Sequence, residues 1–265
     1  MFDPQAILDP NVPEDREYLW KYFNIELTVL KMMMNTISFV GSVYHLHHRG
    51  DKFVSENASE IFQLLTMDFE QFLVYRAQKD IFRNRYEFST MWIDNNPKNP
   101  GKITMLLFLP SQPGSDVDIN TYRTYVEYLY MINPTKVQAQ MNPYQHFILL
   151  TENRLGSSAT GLMNESRGID FEVYPDDLFA FDPTEHCLAP IRVTRILAEN
   201  ATVFCETEGF DQKQLPAAHK NDPIAAMYGA KVGDILLQEV MGCSHDKKIE
   251  YRTIIPELKF QALKK

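Results

Sequence analysis

The stretch Ile103-Thr104-Met105-Leu106-Leu107-Phe108-Leu109-Pro110 decides the fold. It is a near-continuous apolar run closed by proline, the pattern of a strand covered on both faces. Phe147 to Leu150 is a second short apolar run and Ile169 to Tyr174 a third. Between them, Asn120 to Met131 has helical patterning, and Gly156-Ser157-Ser158-Ala159 reads as the start of another helix. Strand, helix, strand, helix, strand is the rhythm of an α/β layer with a helix on at least one face.

Upstream, Pro13 and the acids after it open a helix in which Leu19, Phe23, Leu27 and Leu30 fall at helical spacing. Ser42 to Asp51 reads as a loop holding three histidines, and Ser59 to Tyr75 as a second amphipathic helix through Ile61, Leu64, Leu65, Phe69 and Phe72. Strand territory begins at Phe88 to Asp94, followed by the turn Asn95 to Gly101. Past Asp176 to Phe181, a short helix or turn, the texture changes to smaller pieces. These are a strand at Arg192 to Ile196, a polar helical stretch, the turn Asn221-Asp222-Pro223, a short segment Ile224 to Tyr228, and strands at Asp234 to Val240 and Ile249 to Ile255. The last two, joined by Met241 to Lys248, form a hairpin. We therefore expect two domains, residues 1–181 and 182–265: an α/β, three-layer-like domain with a small mixed sheet, then a small α+β domain with one or two helices. No internal repeat or low-complexity segment interrupts them.

The composition suits this reading. The chain has 265 residues, 45% hydrophobic and 23% charged, as expected of a folded protein and not of a disordered or collagenous one. Three cysteines, Cys187, Cys205 and Cys243, with no C-x-x-C pair argue against a disulfide framework and for a reducing compartment. Met1 to Pro13 lacks a basic stretch leading into an apolar run, so no secretory signal is expected. Ile25 to Val43 is the most apolar long stretch, but Glu26, Lys31 and Asn35 interrupt it, making it a core helix and giving no expectation of a membrane. The net charge of −9 is uneven: 11 basic and 11 acidic residues from Pro183 onward leave 15 and 24 before it. An acidic first domain repels a polyanion at long range, which argues against autonomous charge-driven binding to nucleic acid.

Few residues carry obvious chemistry. His45, His47, His48 and Asp51 are metal-ligand types, but they crowd one short loop without a distant fourth ligand. His186 beside Cys187, and His245 near Cys243, suggest a second metal site or a thiol with its base, though a lone cysteine is usually a small buried apolar residue. Asp176-Asp177 resembles the paired aspartates that hold magnesium in nucleotidyl transferases, against the commoner role of helix cap. The chain lacks a Walker loop, G-x-G-x-x-G, H-E-x-x-H and G-x-S-x-G, so no catalytic residue, metal or cofactor is expected. Gly156-Ser157-Ser158-Ala159, preceded by Arg154, places small residues and two hydroxyls at a helix start, a phosphate-binding arrangement whose plain alternative is a serine cap. Leu215-Pro216, Asp222-Pro223, Tyr228-Gly229 and Gly233 read as turn chemistry, with fold scaffolding as their plain role.

Thr184-Glu185-His186, Gln214-Leu215-Pro216 and Asp222-Pro223-Ile224-Ala225, followed by Tyr228-Gly229 and Gly233, resemble in order and spacing the assembly domain of the shared fifth subunit of eukaryotic RNA polymerases I, II and III. Archaeal polymerases have a counterpart of it. A Tyr-Arg pair near that domain's end is matched by Tyr251-Arg252. Upstream, Tyr18-Leu19-Trp20-Lys21 resembles the family's first-helix signature, Leu107-Phe108-Leu109-Pro110 with Pro113 its buried strand, and Ile148 to Leu150 the strand before its DNA-side loop. The archaeal counterpart lacks this N-terminal domain, so the architecture resembles the eukaryotic type. Where the family has Thr-Pro-Ser-Ala-Lys, the chain has Gly156-Ser157-Ser158-Ala159-Thr160, without the basic residue. Ala226 and Val232 stand where the family has arginines, Met241 to Asp246 replace its usual hairpin turn, and Ser42 to Asp51, Met131 to Tyr144 and Pro256 to Lys265 are extra. The chain resembles a divergent member, from a protist lineage or a large DNA virus.

The resemblance implies a non-catalytic polymerase subunit, present as one copy in a hetero-oligomer. Its C-terminal domain would dock on the largest subunit through Glu185, His186, Leu215, Pro216, Asp222, Pro223, Tyr228, Gly229, Gly233, Tyr251 and Arg252. Its N-terminal domain would form the lower jaw beside downstream duplex DNA, meeting phosphates through Arg154, Gly156, Ser157, Ser158 and Ala159. The implied location is the nucleus for a cellular protein, and the viral factory or virion for a viral one. The competing readings are a free-standing interaction protein on the same fold, and a magnesium nuclease or transferase using Asp176 and Asp177.

Overall fold

A computed structural model of the protein describes residues 9–37, 40–45, 54–56, 63–78, 89–94, 102–109, 115–127, 144–165, 169–186, 189–241 and 246–256. His47, His48, Asp51, Cys187, Cys243, His245 and most of the three extra segments lie outside them. The chain forms two compact units, one of residues 1–30 with 37–181, the other of residues 31–36 with 182–265. The architecture is mixed α/β, with one mixed sheet in each unit.

The first helix, α1 (Pro13–Thr36), starts with Pro13 and two acids in its first turn, where a missing N–H costs nothing and negative charge faces the positive end of the helix. Leu19, Tyr22, Phe23, Glu26, Val29, Leu30 and Met33 are buried at i, i+3, i+4, i+7 spacing, the mark of a core-facing stripe. Trp20 and Phe23 meet Phe69 and Phe72 of α2 (Phe69–Gln78) at ring separations of 4.8 and 5.0 Å. The helix expected across Ser59 to Tyr75 is broken. Gln71 N–H donates to Asp68 Oδ1 and Asp68 N–H to Gln71 Oε1, a reciprocal capping box that starts a new helix after the turn at Thr66.

The first sheet contains β1 (Val40–His45), β2 (Val54–Glu56), β3 (Thr90–Asp94), β4 (Lys102–Leu109), β5 (Tyr144–Thr151) and β6 (Asp170–Pro175), in the order β2-β1-β3-β4-β5-β6. Pairing is antiparallel from β2 through β4, then parallel through β5 and β6. The three apolar runs of the sequence are thus the parallel part. Ser42 to Asp51, read as a loop, instead begins inside β1, whose partner β3 satisfies its backbone. Between β4 and β5, α3 (Ile119–Tyr122) runs into a π-helical turn at Arg123–Glu127. Between β5 and β6 lies α4 (Ser157–Glu165).

One face of β4 and β5, Met105, Leu107, Leu109, Phe147 and Leu149, packs with Tyr122, Val126 and Ala159 from the crossover helices. The other face, Leu106, Phe108, Ile148 and Leu150, is equally buried. Two polar groups at this depth are tied: the Trp92 indole N–H donates to Thr90 Oγ1 at 2.8 Å, and Phe108 N–H to Ser89 Oγ at 2.9 Å.

In the second unit, β7 (Arg192–Ile196), β8 (Ala217–His219), β9 (Ile235–Met241) and β10 (Lys247–Ile255) form a sheet of order β7-β9-β10-β8. β9 and β10 are the expected hairpin, running in register from Met241 opposite Lys247 to Ile235 opposite Thr253. β8 is hidden in the sequence because Pro216 looks like pure turn chemistry; it pairs parallel to β10 after Thr253 N–H donates to the Pro216 carbonyl. One helix covers each face. Ala201 and Cys205 of α5 (Ala198–Glu208) pack with Ile235, Ile196 and Tyr251, and Ala225 of α6 (Pro223–Met227) packs with Leu236, Ile254 and Ala218.

Because β5 is covered on both faces, Leu149→Ala is expected to cost about 3 kcal/mol of unfolding free energy, whereas Val74→Ala, on an exposed side chain, should stay within about 0.5 kcal/mol. Chemical denaturation of the two variants checks this.

Candidate docking surface and candidate DNA-side loop

In the second unit, residues that the sequence marks as surface or turn are used first to close the fold. Asp222 precedes α6, and its Oδ1 accepts from Ile224 N–H at 3.0 Å and Ala225 N–H at 3.2 Å, with Pro223 at the first helical position. Leu215 and Tyr251 belong to the apolar cluster under α5, where Tyr251 meets Phe204 and Phe210 at ring separations of 5.8 and 5.1 Å. Gly229 has φ +56°, and a Cβ there would stand 2.8 Å from Thr36 Cγ2. The Tyr-Gly pair is thus where the last turn of α1 comes against α6, too close for a side chain. Gly233 follows at φ +93°, its N–H donating to the Ile254 carbonyl.

Two polar hubs hold this unit, and sequence reasoning misses both. Asp234 is buried; it accepts from Arg195 Nε at 2.7 Å, Ala198 N–H at 2.8 Å and Lys231 N–H at 2.8 Å. It therefore caps α5 from a distance, since Leu197 at the cap position has no side-chain acceptor. The second hub is Lys31, whose Nζ donates to Asp182 at 2.5 Å and to Glu185 at 2.6 Å, while Asp182 also accepts from Thr184 N–H and its hydroxyl. Burial alone would lower the Lys31 pKa, but its hydrogen bonds and the charges of Asp182 and Glu185 outweigh that and raise it. Burial likewise works against Asp182, and the bonds from Lys31 and Thr184 hold its carboxyl below the ordinary value. Tyr228, half-buried near the same carboxylate, is pushed up by burial and by Asp182. The one signal in the sequence is a single lysine inside an apolar helical stretch.

Of the expected docking residues, Glu185, His186 and Pro216 are exposed, while Leu215, Asp222, Pro223, Tyr228, Gly233, Tyr251 and Arg252 are partly covered and Gly229 is buried. Ile191, Val203, Val232 and Ile249, which the motifs do not include, are exposed apolar side chains of the same unit. Arg252 donates from its terminal nitrogen to Glu250 at 3.3 Å. Cys205 is buried on the inward side of α5 and its thiol is pushed up by burial, in keeping with a packing role.

In the first unit, Arg154, Ser157 and Ser158 are exposed, and Ala159 is buried in the core. Gly156 is fixed on both sides: its N–H donates to the Val117 carbonyl at 3.0 Å, and its own carbonyl takes Thr160 N–H and the Thr160 hydroxyl. The cap of α4 is therefore Gly156, not a serine, and a Cβ there would come 3.0 Å from Val117 O. This leaves both serine hydroxyls and Arg154 on the outside, with the Gly156 N–H already engaged. Asp176 and Asp177 do not form a pair. Asp176 is buried, whereas Asp177 is exposed beside Lys21 Nζ at 3.2 Å.

Gly229→Ala combines a left-handed backbone with a contact at Thr36 and is expected to cost at least ~2 kcal/mol, part of which Thr36→Ala should restore, as read by unfolding midpoints. The Lys31 hub sets a pH window. Asp182, with its pKa lowered, stabilises above the ordinary carboxylate value and loses that contribution as pH falls through its folded value; Lys31, with its pKa raised, loses its contribution only as pH rises through a folded value above the ordinary lysine one. Lys31→Met should therefore cost about 1 kcal/mol at neutral pH, a figure kept small because Lys31 is partly solvated, and should flatten the acid limb of the stability profile below about pH 4.

Compared with known protein families, residues 181–254 match the model described as RNA polymerase Rpb5, C-terminal domain. No curated protein matches the chain at a significant level. The matched span contains both faces of the second sheet, the Asp222 cap, the Asp234 hub and every residue named above for docking. Residues 181–254 are thus similar to the C-terminal domain of the Rpb5-type RNA polymerase subunit.

Proposed function

We propose that the protein is a non-catalytic structural subunit of a multisubunit DNA-directed RNA polymerase, docking on the largest subunit through its second unit and serving with its first as the lower jaw beside downstream DNA. The observation that carries this reading is the family match over residues 181–254, on a small sheet with one helix on each face. The exposed side chains Glu185, His186 and Pro216, with Val232 and Ile191, are the surface assigned to the large subunit. Partly or fully covered residues of the same unit, Asp222, Gly229 and Tyr251 among them, act by holding its shape.

The jaw role rests on charge and on the loop before α4. The residues up to Asp182 carry 15 basic and 24 acidic side chains, so the first unit cannot hold DNA by a broad field. Contact is confined to a few phosphates met by Arg154, Ser157 and Ser158, the rest of the positive channel coming from larger subunits. Nucleotide addition takes place elsewhere in the complex. The place of action is that of the polymerase: the nucleus for a cellular enzyme, a viral factory or particle for a viral one.

Affinity purification of the tagged chain from its source at moderate salt tests the assignment. Two very large polymerase subunits are expected in one-to-one ratio with it, and recovery alone or with unrelated proteins would favour a free-standing interaction protein. His186→Glu combined with Val232→Glu should lower that recovery about tenfold or more without unfolding the chain. Arg154→Ala with Ser157→Ala should leave recovery intact and make elongation complexes dissociate at lower salt.

A further inference from the structure

Among residues to which no role has been assigned, His146 on β5 and Asp170 and Glu172 on β6 bring three ligating side chains to one face of the first sheet. The parallel register sets His146 opposite Asp170 and Ile148 opposite Glu172. Two alternate positions on one strand and one on its neighbour necessarily point the same way. Their ligand atoms all lie within 4.8 Å of one another. His146 and Glu172 are buried, whereas Asp170 is exposed at the start of its strand, open to entry from solvent.

The geometry is that of a metal site with its outer shell in place. His146 Nε2 and Glu172 Oε1 are 3.1 Å apart, close to the edge of about 3.3 Å that a tetrahedron with bonds of about 2.0 Å requires. The far atom of each buried ligand faces a buried hydroxyl. Thr104 Oγ1 on β4 lies 3.3 Å from His146 Nδ1, and the Tyr174 hydroxyl donates to Glu172 Oε2 at 2.5 Å. Such partners fix the tautomer and ring plane of a ligating histidine and leave one oxygen of a carboxylate for the ion. Two carboxylates and a neutral imidazole balance a double positive charge, and the nitrogen donor selects a transition metal over magnesium or calcium.

We propose that His146 Nε2, Glu172 Oε1 and a carboxylate oxygen of Asp170 bind one divalent transition-metal ion of the zinc class, with Thr104 and Tyr174 as positioning residues. The ion takes the place of the hydrogen bond between His146 and Glu172 and ties the outermost strand, β6, to β5. His146 then carries its proton on Nδ1, donated to Thr104 Oγ1.

The test is calorimetric titration of the full-length chain, freed of metal by a chelator, with zinc ion alone at about pH 7.5. One equivalent is expected, with a rise in the unfolding midpoint. His146→Gln and Asp170→Asn should each weaken binding about tenfold or more. Asp170→Asn, on an exposed side chain, serves if the buried variant does not fold. Replacing His45, His47 and His48 together by asparagine should leave the equivalent in place. The proposal is overturned if the parent chain takes up no zinc, if Asp170→Asn with an unchanged circular dichroism spectrum keeps the parent affinity, or if the triple histidine replacement abolishes uptake.

Discussion

A parallel strand pair leaves no solvent-facing side, and the first unit is organised around that constraint. β4 and β5 are buried on both faces from Met105 to Leu109 and from Phe147 to Leu150, so each crossover has to supply a helix and each polar group at that depth a partner. The helices α3 and α4 satisfy the first demand. Ser89, Thr90 and Gly156 satisfy the second, by accepting or donating where the chain leaves the sheet. Gly156 lies at the end of this chain of dependence, since a Cβ on the path from β5 to α4 would come 3.0 Å from Val117 O, tighter than ordinary contact. The exposure of Arg154, Ser157 and Ser158 is thus a by-product of how the buried strand must exit.

The second unit solves a different problem, that of making a small sheet stable with one short helix on each face. Its apolar clusters are small, and carboxylates compensate by each serving several donors. Asp234 joins β7, the start of α5 and the turn before β9; Asp182 joins α1 to the turn that opens the unit. Charged acceptors of this kind form shorter and stronger bonds than neutral ones, and their burial makes the arrangement intolerant of losing a donor. Sequence motifs that look like a binding signature are, for Asp222, Gly229 and Tyr251, the parts that let so small a unit close.

Much of this is legible in the sequence, for reasons that differ by element. Apolar runs announce buried parallel strands, so β4, β5 and β6 are visible, as are α1 through its stripe and the β9–β10 hairpin through its two β-runs. β1, β2 and β8 are not. Their pairing is decided by strands distant in sequence, and glycine, histidine and proline nearby look like loop chemistry. Of the candidate site residues, Glu185 and His186 are exposed while Ala159 and Gly229 are buried, which spacing alone does not reveal. Lys31, Asp234 and the cluster of His146, Asp170 and Glu172 escape notice because their partners come from other strands or from more than a hundred residues away; charge that folding brings together leaves no local pattern.

The division of α1 between the two units has a temporal side. Lys31 and Asp182 are 151 positions apart, so the last turn of α1 leaves the ribosome long before the residues it helps to fold. At translation rates of about 5–20 residues per second, that interval is roughly 8 to 30 seconds. Throughout it, Met32 and Met33 have no finished unit to enter, although both are buried at the end. A nascent chain in this condition exposes apolar surface early in its length until its last third is made, and a fragment beginning at Asp182 would lack Lys31 and Thr36 altogether. For this protein, the order of synthesis runs against the order in which the second unit can be completed.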